Sequence, residues 1–154
     1  MRKKIILILV VLATTVACIH KQSGPVSAWE RVNVNMAALA QINDEVATGI
    51  IAVQQAGTIS VQQAAPILGY QETVAKDHIA IENILSAGST EAGSKAVQIQ
   101  GLLNEIKSQG AALIQSGGMG VKNPQSQQSF TQDLQGIVNL AQIVLADYQL
   151  AEGK

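Results

Sequence analysis

The sequence predicts an all-α protein, an antiparallel up-down-up-down four-helix bundle preceded by a cleaved N-terminal signal. Three observations carry that expectation. Apolar residues recur at alternating steps of three and four along four separate stretches, the spacing of a helix face buried in a bundle. Serine, threonine or asparagine stands before each stretch and glycine after the first three, residues suited to helix starts and stops. Alanine and glutamine, both good helix formers, fill much of the chain. Aromatic residues are only 3%, and no alternating β-branched run or Asn-Gly turn marks a β-hairpin.

The first helix is expected to start at Ser27, with Glu30 three residues on completing a capping box. It runs to about Ala56 and stops at Gly57. Its seam is Val32, Met36, Leu39, Asn43, Val46, Ile50 and Val53. Ser60 starts the second helix, with Gln63 in the box position. Pro66 lies inside it and cannot donate to the carbonyl four residues back, so a kink or a restart is expected there. Its seam is Ile67, Val74, His78, Ile81 and Leu85, ending at Gly88.

Ser89 or Thr90 starts the third helix, and Glu91 suits the positive end of the helix dipole. The seam is Ala92, Ala96, Ile99, Leu103, Ile106, Gly110 and Leu113. Gly93, Gly101 and Gly110 each cost about 1 kcal/mol relative to alanine, a cost that close helix approach would offset. Gly118 to Lys122 form the loosest connection. Asn123 then caps the fourth helix and Pro124 takes its first position. The last seam is Phe130, Leu134, Ile137, Ala141, Val144, Tyr148 and Ala151. Each helix is about 40 Å long at 1.5 Å per residue. The same seams would also serve two long hairpins pairing with a second copy, and periodicity does not separate the two arrangements.

The start of the chain carries a different signal. Arg2, Lys3 and Lys4 precede the apolar run Ile5 to Ala13, and the small-residue run Thr15-Val16-Ala17 leads to Cys18, the only cysteine. This resembles the signal sequence and lipobox of bacterial lipoproteins. The resemblance implies cleavage between Ala17 and Cys18 and a diacylglyceryl group on the Cys18 sulfur, with no other cofactor. Ile19, in place of aspartate, implies an outer-membrane destination facing the periplasm where the host has two membranes. An ordinary secretory signal cut after Ala17 fits the same small residues. A lone cysteine without a disulfide partner favours the lipid-modified thiol. The apolar stretch from Ile5 to Ile19 is about 15 residues, short of the roughly 20 that a spanning helix needs.

The chain therefore divides into residues 1–17 as signal, 18–26 as lipidated cysteine and tether, and 27–154 as the bundle. His20 to Val26 can span at most about 25 Å, which keeps the bundle close to the membrane. Losing Arg2, Lys3 and Lys4 moves the formal net charge from −1 to −4, which argues against a nucleic-acid partner.

His78 is the one candidate for chemistry, an imidazole in an apolar seam with Asp77 and Glu82 nearby. Paired with Met36 it offers the residue types of a metal or haem site. No Cys-x-x-Cys-His or Glu-x-x-His motif accompanies it, so a hydrogen-bonded core histidine is the plainer reading. Asn43 reads as a register-fixing polar residue. Trp29 and Tyr148 are expected to pack together at one end, in the core or against a membrane interface. The glycine-rich loop Gly117 to Gly120 reads as a connection. One cysteine and two histidines exclude nucleophilic triads, and the eleven acids appear scattered on polar faces.

The expected function is therefore a non-enzymatic, lipid-anchored envelope protein that binds another envelope protein or self-associates. It is similar in type and size, with no shared motif, to pilotins and to phage or plasmid exclusion proteins. The competing expectation is a carrier with a pocket near His78.

Overall fold

A computed structural model describes residues 26–87, 92–115 and 124–153. The signal, Ala17, Cys18, most of the tether, the caps Ser89, Thr90 and Asn123, and the loop from Gly117 lie outside the described residues. Within them the chain is all-helical: α1 (Ala28–Gln55), α2 (Val61–Ser86), α3 (Ala92–Gln115) and α4 (Pro124–Ala151).

The helix starts follow the sequence closely. The Ser27 hydroxyl accepts from the Glu30 amide at 3.1 Å, and the Glu30 carboxylate accepts from the Ser27 amide at 2.7 Å. Those bonds hold the Glu30 carboxyl below its ordinary range. Ser60 and Gln63 repeat the arrangement at α2. Gly57 has φ of 72°, a left-handed conformation open to glycine, and ends α1 as expected. Pro66 does not restart α2, which runs unbroken through it with the proline ring exposed. The α2 C-cap is Ala87, directly before Gly88, as the α1 C-cap Ala56 is directly before Gly57.

Packing is cyclic. α1 lies against α2 and α4, and α3 lies against the same two, so each helix has two neighbours around one core. Val32, Leu39, Ile50, Ile67, Val74, Ile81, Ile99, Leu103, Ile106, Leu134, Ile137 and Val144 are fully buried in it. Val53, Leu85, Leu113 and Ala151, expected in the seams, are only half-buried, because they lie toward helix ends. Ile59 closes the α1–α2 turn end. The α3 glycines divide. A Cβ on Gly101 would meet nothing within 4 Å, whereas one on Gly110 would lie 2.5 Å from the Tyr70 hydroxyl and 2.6 Å from Val138 Cγ2. Gly110 is therefore where α2 and α4 come close to α3.

Candidate functional site

Most of the buried polar groups lie where α2 meets its two neighbours. On the α1 side, two side-chain-to-backbone bonds cross the seam one heptad apart. Asn43 Nδ2 donates to the Gln71 carbonyl at 3.1 Å, and His78 Nε2 lies 3.0 Å from the Met36 carbonyl oxygen. A carbonyl only accepts, so Nε2 carries the proton and donates. Each helix thus sends one side chain into the other's backbone. Met36 and His78, named from the sequence as a possible ligand pair, are brought together here through the Met36 main chain. With Nε2 engaged as a donor, a metal or haem iron would have to displace that bond or use Nδ1. Glu82 Oε1 lies 3.7 Å from the same nitrogen, close enough to pair with an imidazolium.

Among the described residues, four buried side-chain atoms have no hydrogen-bond partner: Asn43 Oδ1, both amide atoms of Gln71, and Asp77 Oδ2. Gln71 is 3% exposed and sits on the face of α2 that meets Asn43. A buried polar atom without a partner costs roughly 1–3 kcal/mol. On the α3 side of α2, the Tyr70 hydroxyl donates to the Ile106 carbonyl at 3.0 Å. Burial raises the Tyr70 phenol above its ordinary range. Burial, and secondarily the Glu105 charge, push the Asp77 carboxyl up to about 6.

A second polar contact closes α1 onto α4. Asp147 accepts from Arg31 Nε at 2.7 Å and from Asn35 Nδ2 at 2.9 Å. Arg31 Nη1 also donates to the Val26 carbonyl at 2.9 Å, fixing the end of the tether to this corner.

These positions correct the expectation that the acids all occupy polar faces. Asp77 and Asp147 are buried; Asp77 Oδ2 has no partner, whereas both carboxylate oxygens of Asp147 do. Each directly precedes a seam residue, His78 or Tyr148, and so falls on the flank that meets the next helix. That adjacency was the available signal, and Tyr70 and Arg31 were missed for the same reason, whereas Gln71 fills the seam step between Ile67 and Val74. Trp29 and Tyr148 do pack, edge to face with centroids 5.7 Å apart at 81°. Tyr148 is buried, but Trp29 is 42% exposed and is not a core residue.

Among the described residues, no group of three or more His, Cys, Asp or Glu is placed to hold a metal ion. Among the same residues, no helix is long and apolar enough to cross a membrane. No protein-family model matches this chain, and comparisons with curated proteins and with solved structures give no match.

Proposed function

We propose that this chain is a non-enzymatic lipoprotein of the bacterial cell envelope, cut before Cys18 and held by acyl chains on that residue. Its bundle serves as an interaction module for another envelope protein or for a second copy, with no nucleic-acid partner. Where the host has two membranes, it faces the periplasm from the outer membrane. The helices run antiparallel, up-down-up-down. Support for that order comes from α1 and α2, where residue 36 meets 78 and residue 43 meets 71, rising on one helix as they fall on the other.

The observation that carries the non-enzymatic reading is how the buried polar side chains are spent. Asn43, Tyr70, His78 and Asp147 each bond to a neighbouring helix rather than converging on a shared space. The test is a Cys18→Ser chain expressed in the bacterial envelope. The expected result is an uncut protein lacking acyl mass, against a parent whose mass equals residues 18–154 plus acyl chains. A parent of unmodified mass refutes the reading.

One observation favours a second reading, a carrier with a pocket between α1 and α2 near His78 and Met36. The orphaned amide atoms of Gln71 and the orphaned oxygen of Asn43 would suit a small polar ligand. Native mass spectrometry of the mature protein decides it: a carrier shows extra mass that is lost on unfolding and on His78→Ala.

A further inference from the structure

We infer that the tether end of the bundle, where α1 begins and α4 finishes, is a bilayer-docking surface set into the lipid headgroups. The inference rests on the lipid anchor and the antiparallel order proposed above, and adds an orientation: the bundle stands upright with one end immersed.

The exposed apolar side chains are unevenly placed. Among the described residues eight large hydrophobic side chains are exposed. Ile51 and Val61 lie in the half remote from the tether. The other six, Trp29, Val34, Ile79, Val97, Ile143 and Leu150, lie in the tether halves of their helices. All four helices contribute, so the six residues form a belt around one end. A protein partner docking on one side would leave most of such a belt in water, whereas a bilayer surrounds the whole end. At 1.5 Å per residue, the belt lies within about 12 Å of the helix termini; in a headgroup layer about 5–8 Å deep, Trp29, Leu150 and Val97 are immersed and Val34, Ile79 and Ile143 stand at its outer edge.

Trp29 has the chemistry for that zone. Its ring is braced edge-on against buried Tyr148, which holds the indole at the rim instead of letting it fold inward. An indole, apolar in body with one N–H, prefers the membrane–water interface.

Charge points the same way. Among the described residues Arg31, Lys76 and Lys95 stand in the tether half and Lys107 alone in the other, while the acids divide five and five. Counting those described residues alone, the tether half carries −2 and the remote half −4, so anionic headgroups repel the remote half more.

Reach decides which end meets the bilayer. The segment from His20 to Val26 spans at most about 25 Å, against about 40 Å for the bundle. Arg31 holds its root, the Val26 carbonyl, at the belt.

The full chain, acylated at Cys18 and purified from membranes, should be reconstituted in phosphatidylethanolamine–phosphatidylglycerol vesicles, with and without brominated acyl chains. Trp29 is the only tryptophan, so its emission reports this site alone. The expected result is blue-shifted emission that loses at least about half its intensity to brominated lipid. The double variant Val97→Ser/Leu150→Ser should reduce that quenching, and Ile51→Ser/Val61→Ser should leave it unchanged. If the acylated protein floats with vesicles but Trp29 stays open to acrylamide and unquenched by bromine, the docking surface is refuted and the anchor stands. A Trp29 shielded from both quenchers means that a protein covers it, which also overturns the inference. A chain without acyl mass that fails to float removes the anchor reading, and this inference with it.

Discussion

Replacing Gly110 with alanine should destabilise the bundle, and replacing Gly101 should do the reverse. In a helix interior, alanine is favoured over glycine by about 1 kcal/mol. At Gly101 nothing stands within 4 Å of the added carbon, so that full gain should appear. At Gly110 the new carbon would meet the Tyr70 hydroxyl at 2.5 Å, Val138 Cγ2 at 2.6 Å and Tyr70 Cζ at 2.9 Å. Tyr70 is buried and its hydroxyl is committed to the Ile106 carbonyl, so it cannot swing away without loss. Overpacking costs about 1–3 kcal/mol, and unpairing a buried hydroxyl about 1–3 kcal/mol more. Set against the helix gain, the net loss should be about 1–5 kcal/mol. The assay is urea unfolding of the mature chain followed by circular dichroism, with midpoints and slopes compared among the variants. Adding Tyr70→Phe to Gly110→Ala removes the nearest contact and should recover part of the loss, with a coupling of at least about 1 kcal/mol. If Gly110→Ala raises the midpoint as Gly101→Ala does, the close approach of α2, α3 and α4 at this residue is wrong.

Asp77 should make stability fall as pH rises. Its folded carboxyl titrates near 6 against 3.8 for the free group, so the native state binds the proton more tightly. Stability should therefore decline between about pH 4 and 6, by on the order of 1–3 kcal/mol, and level off above, with Asp77→Asn flattening the decline in a pH series of unfolding curves. Arg31→Ala should cost about 1–3 kcal/mol by leaving buried Asp147 with Asn35 alone. Arg31→Lys should restore little, because one ammonium does not reproduce two separate N–H bonds. Pro66→Ala should raise thermal stability by about 1–3 kcal/mol, since the Gln62 carbonyl regains a donor within an exposed turn of α2.

The helices were legible because their signals are local. Ser27 with Glu30, Ser60 with Gln63, and Gly57 act within one turn, and the structure places them as the pattern requires. Seam positions such as Leu39, Ile67, Ile106 and Leu134 follow from period alone. What escaped lies between helices. Periodicity finds the centre of a buried stripe, where Gln71 fills the step between Ile67 and Val74, but not its flanks, where Tyr70, Asp77 and Asp147 meet neighbours whose identity depends on packing order. Met36 and His78 were paired in the sequence as possible metal ligands; what the structure shows between them is a bond from His78 to the Met36 backbone, which residue types do not announce. A kink or a restart was expected at Pro66; α2 does not restart there, because the ring faces outward and the packed α2 face carries the helix past it. Gly101 and Gly110 look alike in sequence and differ only in what stands opposite.

The clasp between Arg31 and Asp147 joins residues 116 positions apart, whereas the other three seams join helices consecutive in the chain. That difference sets an order in time. Neighbouring pairs can form as soon as each is synthesised, but the α1–α4 seam must wait for the last helix. Until then α1 has one side without its partner, and the α4 of another copy has the same chemistry as its own. Ring closure within one chain competes with exchange between two, and local concentration during folding sets the outcome. Monomer and swapped dimer would share every contact described here, differing only in which chain arrived first.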